Sequence, residues 1–232
     1  MANWYIGMTE AAIRKKVADT ALALLGIKEG TTEYEQKIRG VYNSQGKLPR
    51  GHKLTGSDPW CAATMTVIGI MLGITDIILP ECSCSKMIEL YKAKGWWEER
   101  DDYVPDIGDL VMYDWDAKAG ECTGAPDHVG MVIGYNGRNP LVLEGNYDNQ
   151  VKIREICIEY VKIRGFCLPD YGALVQGFAD VDPDAWYAEA VNKAAELGLM
   201  EGVGGGLFEP ERAITRAEVA AVVVRMADLA AK

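Results

Sequence analysis

Asp127-His128-Val129-Gly130-Met131-Val132-Ile133-Gly134, then Asn136-Gly137, then Leu141-Val142-Leu143-Glu144-Gly145, is the stretch that decides the fold. Two short apolar runs flank an Asn-Gly pair, which favours the backbone of a tight hairpin. Runs of this length and β-branched content read as strands. The segment therefore predicts an antiparallel hairpin. Working outward, similar runs at Asp109–Asp114, Val151–Ile158 and Ile163–Leu168 extend it into a sheet after Pro105.

Upstream of Pro105 the period changes to helical. Ile13, Val17, Ala21, Leu24 and Leu25 share one face of a helix over Thr9–Leu25, with Gly26 as its stop. A second short helix covers Tyr34–Tyr42, and the polar stretch Gly46–Pro59 reads as a loop. A third helix begins at Cys61, with Met65, Ile68, Met71 and Leu72 on a buried face. A fourth, Ser85–Lys94, carries Met87, Ile88 and Tyr91. Helices first and an antiparallel sheet after is an α+β layout. Beyond about residue 177 the texture becomes helix, glycine-rich loop, helix. We expect two domains, 1–172 and 173–232.

The whole chain of 232 residues is 49% hydrophobic and 25% charged, which suits a soluble globular protein and excludes disordered and fibrous classes. Lys plus Arg is 24 and Asp plus Glu is 34, a net charge of −10. Such a surface repels phosphate backbones and anionic lipids, so neither nucleic acid nor membrane is an expected partner. Met1 to Gly30 lack the basic, apolar and small-residue order of a signal peptide. The expectation is synthesis in the cytoplasm.

Six cysteines, Cys61, Cys82, Cys84, Cys122, Cys157 and Cys167, do not form a disulfide framework in a chain this long. Cys82-Ser83-Cys84 has a one-residue gap and no second pair, unlike a zinc site. We expect reduced thiols, no metal and no cofactor.

Histidine is scarce, with His52 in the polar loop and His128 at a strand start. Cys61 opens an apolar helix, where the positive end of the helix dipole favours the nucleophilic thiolate. An imidazole such as His128 can take the thiol proton and return it to a leaving amine. Glu144 and Asn146 close the next strand and can orient that ring. The competing reading makes Cys61 a small core residue, His128 a strand-end histidine bonded to backbone, and Glu144 a solvated strand end.

Asp58-Pro59-Trp60-Cys61-Ala62-Ala63, Pro105-Asp106-Ile107-Gly108-Asp109-Leu110-Val111, Asp127-His128-Val129-Gly130-Met131-Val132 and Glu144-Gly145-Asn146 together resemble the CHAP family. These are papain-like cysteine amidases and peptidases that cut bacterial peptidoglycan. The likeness covers roughly Thr9 to Tyr171. It implies Cys61 as nucleophile, His128 as base, Glu144 as the orienting group and Asn146 as the nearby family asparagine. It implies helices packed on an antiparallel sheet, acyl transfer through a thioester, and the Cys61 backbone N–H as oxyanion donor. Some members carry a calcium loop with several aspartates before the nucleophile. Here Gly51 to Asp58 holds one carboxylate, too few for calcium.

Phe178-Ala179-Asp180-Val181-Asp182-Pro183-Asp184-Ala185-Trp186-Tyr187, Phe208-Glu209-Pro210 and Ile214-Thr215-Arg216-Ala217-Glu218 resemble one S-layer homology repeat. Asp184 is placed to cap a helix through Leu197 that Gly198 ends, and Thr215 to cap a second whose Val219, Val222, Val223 and Met226 face inward. The resemblance implies secondary cell-wall polysaccharide as partner, with Arg216 and Trp186 as binding residues. The alternative pairs Arg216 with Glu218 and buries Trp186. A single repeat implies packing on the catalytic domain or a homo-oligomer through the repeat.

Taken together, these readings lead to an expected endolysin-type peptidoglycan hydrolase that acts on the wall after release. The alternative is a catalytically inactive wall-anchored binding or structural protein. A host autolysin is a third reading.

Overall fold

Helix α1 (Glu10–Leu22) buries Ile13, Val17 and Ala21 in register with the turn residue Leu24. Leu25, expected on the same face, is exposed, because the helix ends at Leu22 and Gly26 turns the chain with φ 86°. The next helical run is α2 (Thr32–Tyr34), a π-turn over Glu35–Arg39 and α3 (Gly40–Asn43). Tyr34, Ile38 and Tyr42 recur every fourth residue and are all buried. The computed structural model describes residues 4–100, 102–118, 124–157, 162–175 and 177–230. Cys122, Ile158 at an expected strand end and Gln176 in the expected interdomain join lie outside them.

Helix α4 (Cys61–Leu72) is buried on nearly every side from Cys61 through Gly69, not on one stripe. Its apolar composition all round is that of a core helix. Met71, expected to face inward, is 47% exposed near the helix end, where Gly73 closes the helix in the left-handed region. Helix α5 (Cys84–Lys94) starts behind the Ser83 cap and buries Met87, Ile88 and Tyr91.

The strands are β1 (Trp97–Glu98), β2 (Leu110–Tyr113), β3 (His128–Asn136), β4 (Asn139–Glu144), β5 (Lys152–Glu155) and β6 (Ile163–Cys167). They form one antiparallel sheet in the order β1-β6-β2-β3-β4-β5. The Asn136-Gly137 hairpin forms as expected: Asn136 pairs with Asn139, and Gly137 takes φ 61°. Helix α4 packs against β3, and α5 against β1. Val111, Tyr113, Val132, Val142, Ile163 and Phe166 form a buried cluster. The protein is therefore α+β, with N-terminal helices, a six-stranded antiparallel sheet and a helical C-terminal region.

The chain divides into two compact units, 14–170 and 171–232 with 1–13. In the second, α6 (Ala188–Glu196) begins three residues later than a cap at Asp184 would start it. Asp182 instead holds the Asp184 N–H at 3.0 Å in the turn before the helix. Gly198 ends the helix region with φ 65°, as expected. Helix α7 (Arg216–Ala230) carries the Thr215 cap: Thr215 Oγ1 accepts from the Glu218 N–H (3.2 Å), and the Glu218 carboxylate accepts from the Thr215 N–H (2.7 Å). This is a capping box. Val219, Val223 and Met226 do not face inward as expected. They lie exposed along α7, because no second layer covers them among the described residues.

Candidate active site

The register of three strands places the site on one sheet face. Tyr113 pairs with His128, Gly130 with Glu144, and Glu144 with Lys152. Side chains alternate along strands, so His128, Glu144 and Arg154 fall on the same face as diagonal neighbours. Gly130 lies between them. A Cβ there would sit 2.7 Å from Glu144 Cγ and 2.5 Å from Val142 Cγ1. Only glycine lets the Glu144 side chain lie across β3 towards His128.

Glu144 is fully buried. One of its oxygens meets His128 Nε2 at 3.2 Å. Arg154 forks onto both oxygens, Nε to Oε1 at 2.7 Å and Nη2 to Oε2 at 3.0 Å. A buried carboxylate is costly alone, and this one is matched by two cationic partners. Burial pushes the Glu144 carboxyl up, but the hydrogen bonds and charges of His128 and Arg154 outweigh it, and the net shift is downward. The Arg154 guanidinium lies 4.2 Å from the Tyr147 ring centroid and 5.2 Å from that of Trp115. Trp115 stacks on Tyr113 at 4.8 Å, and both rings flank His128. This aromatic wall fixes the guanidinium that fixes Glu144.

Cys61 is the first residue of α4 and is buried. Next to this first turn, Gly145 presses on Thr64, where a Cβ would come within 2.0 Å of Thr64 Oγ1. That close approach brings the end of β4 against helix α4. Cys61 Sγ lies 3.7 Å from Cys84 Sγ. The thiol is held well below its ordinary pKa: the Cys84 hydrogen bond lowers it, burial opposes, and the hydrogen bond and charge of His128 lower it further. His128 moves the other way. Burial favours its neutral form, but Cys61 and Glu144 raise the imidazole to about 9. Both shifts favour the thiolate of Cys61 and the imidazolium of His128. The Cys84 thiol is pushed well up by its hydrogen bond to Cys61, by burial and by the Cys61 charge, which favours its protonated form.

The site opens into a cleft of about 320 Å³ lined by Cys61, Cys84, Cys82, His52, Arg50 and Asp127 among others. Across it, Arg50 forks onto the buried Glu81 carboxylate. His52, read from sequence as a loop histidine, lines this cleft and lies 3.3 Å from Asp58. Of the expected site residues, Cys61, His128 and Glu144 come together. Asn146 takes φ 58° in the turn after β4 and makes no hydrogen bond to the other three among the described contacts. Arg154, Cys84 and the Trp115–Tyr147 wall were not anticipated. The Arg154 signal is its place two residues beyond Lys152, the partner of Glu144, which only the register reveals.

In the C-terminal unit, Asp180 receives the N–H groups of Phe208 and Glu209, and Phe178 packs on Phe208 at 5.1 Å. Trp186 is 91% exposed and meets Tyr187 edge-on. Glu218 is held by Arg212 at 2.6 Å and by Thr215, and no Arg216–Glu218 ion pair is among the described contacts. A cleft of about 230 Å³ is lined by Arg212, Arg225, Glu218 and Phe208 among others, and neither Trp186 nor Arg216 lines it. Among the described residues, no helix is long and apolar enough to cross a membrane.

Residues 177–220 match the S-layer homology domain family. The chain is also similar to the surface-layer 125 kDa protein of Lysinibacillus sphaericus, 43% identical over 47 residues. That match covers 20% of this chain and 4% of the relative, so the chain spans a small fraction of the relative's length. No solved structure matches significantly. The CHAP likeness rests on the quoted motifs and is not carried by a family match. S-layer homology domains bind secondary cell-wall polysaccharide. The chain thus carries a single S-layer homology domain at residues 177–220, which points to the cell envelope.

Proposed function

We propose that the protein is a peptidoglycan hydrolase that cuts wall amides with Cys61, His128 and Glu144 and is held at the wall by its S-layer homology domain. The observation that carries this reading is the Cys61–His128–Glu144 series, in which a helix-start thiol, an imidazole and a buried carboxylate interact in turn. The Cys61 thiolate attacks the amide carbonyl. The backbone N–H of Cys61 belongs to the first turn of α4, whose N–H groups have no intrahelical acceptor, and it is the donor for the oxyanion. His128 passes its proton to the departing nitrogen, and water then resolves the thioester with His128 as base. Glu144 holds the ring and stabilises the imidazolium. Arg154 is a positioning residue that acts through Glu144. In the same proposal Trp186 and Arg216, both exposed, meet the wall polysaccharide. The exposed apolar stripe of α7 supports self-association through the repeat.

The S-layer relative favours a second reading, a wall-anchored binding protein without turnover. Digestion of purified Gram-positive peptidoglycan, with mass spectrometry of the new ends, separates the two. Free L-alanine amines identify an amidase, and stem or cross-bridge amines an endopeptidase. Bound walls with no new ends identify the anchored binding protein.

A further inference from the structure

The nucleophile candidate has a second thiol against it. Cys84 is the first residue of α5, as Cys61 is of α4, and the two sulfurs lie 3.7 Å apart. A disulfide needs about 2.05 Å, so closure asks for about 1.7 Å of movement. That is within reach of side-chain rotation at two helix starts. Both sulfurs are unbonded cysteines and both line the same cleft, which gives a small oxidant a route to them. The other cysteines among the described residues stand differently. Cys82 shares the cleft but hydrogen-bonds to Arg50 at 3.4 Å, while Cys167 is fully buried and Cys157 is exposed. In the hydrolytic scheme Cys84 serves only as a hydrogen-bond donor to Cys61 and takes no part in bond making or breaking.

We propose that Cys61 and Cys84 form a peroxide-driven, reversible disulfide site, with Cys84 resolving the oxidised nucleophile. The steps balance. The Cys61 thiolate attacks one oxygen of hydrogen peroxide and breaks the O–O bond. This gives the Cys61 sulfenic acid and releases hydroxide, which takes a proton to become water. Cys84 then loses its proton and attacks the sulfenic sulfur. The S–S bond forms, the S–O bond breaks, and a second water leaves. Peroxide is reduced by two electrons and the two thiols are oxidised by two. A thiol reductant reverses the product by exchange. Helix-start placement assists the first step, since it stabilises the attacking thiolate. The disulfide stands on the sulfur geometry alone. Its effect as an off switch rests on the hydrolase reading, because the bond removes the nucleophile.

The test treats the full chain with hydrogen peroxide and maps non-reduced peptides by mass spectrometry. The expected result is a Cys61–Cys84 cross-linked peptide, loss of both cysteines from iodoacetamide labelling, and recovery of both on dithiothreitol. In Cys84→Ser, peroxide drives Cys61 to the sulfinic acid and dithiothreitol recovers nothing. Cys82→Ser behaves as wild type. Both thiols still labelled after peroxide overturns the proposal, as does a Cys61–Cys82 bond. Equal loss of Cys61 to sulfinic acid with or without Cys84 does the same. Wall turnover, assayed in parallel, keeps the two claims apart. A disulfide in a protein with no turnover leaves the site standing and removes its switching role. Turnover unaffected by full cross-linking removes Cys61 as the nucleophile.

Discussion

Replacing Glu144 with Gln keeps a carbonyl acceptor in place but removes the charge shared by His128 and Arg154. The buried carboxylate accepts from His128 at 3.2 Å and from Arg154 at 2.7 and 3.0 Å. A hydrogen bond to a charged group contributes about 1.5–3 kcal/mol, and a neutral acceptor keeps about half of that. The imidazolium therefore loses about 0.8–1.5 kcal/mol of stabilisation, which lowers kcat/KM about 4–13-fold. Arg154 also loses its ion pair. Removing one partner of a buried pair costs about 3–5 kcal/mol, discounted here to about 2 because the arginine is partly exposed. That loss lowers Tm by about 4–8 °C. The sign with pH follows from the direction of the His128 shift. Its pKa is raised in the fold to about 9, so the Glu144–imidazolium contribution is complete below the ordinary histidine value and lost as pH rises through about 9. The stability deficit of Glu144→Gln is therefore larger at pH 6 than at pH 10. The alkaline limb of kcat/KM moves to lower pH in the variant. Rates on soluble muropeptides across pH, with thermal unfolding at both ends, measure this. A variant with wild-type rate and an unmoved alkaline limb refutes the claim that Glu144 holds the imidazolium.

Three further outcomes are expected. Gly130→Ala forces a Cβ against Glu144 Cγ and Val142 Cγ1, so it should lower both activity and Tm in the same assays; an active, stable variant contradicts the packing argument. Arg216→Ala should weaken pull-down by whole walls while leaving cleavage of soluble muropeptides unchanged, and walls stripped of secondary polysaccharide should show no such difference. Thr215→Ala removes the hydroxyl half of the α7 capping box and should destabilise that helix by about 1 kcal/mol, read as earlier loss of helical circular dichroism.

The hairpin was legible because Asn136-Gly137 joins two apolar runs whose period is unambiguous. Strand β1 was not, since two residues pairing with β6 carry no periodic signal of their own. Cys61, His128 and Glu144 were legible through their residue types and positions at element ends. Arg154 was hidden: in Lys152-Ile153-Arg154-Glu155 it reads as one more polar strand residue, and its role comes from register across β4 and β5. Cys84 was hidden for a similar reason, since only the packing of two helix starts sets it against Cys61. The misplaced inward face of α7 has a plain physical source. An apolar stripe says that a face wants cover, and not whether the same chain supplies it.

Cleavage by Cys61 is measured by comparing wild type and Cys61→Ala on purified peptidoglycan, with new amino ends quantified by mass spectrometry and wall binding measured on the same samples. The wild type should release new ends, Cys61→Ala should release none, and both should bind walls equally. Equal release of new ends by Cys61→Ala, or none by the fully reduced wild type on walls that it binds, would contradict cleavage by Cys61.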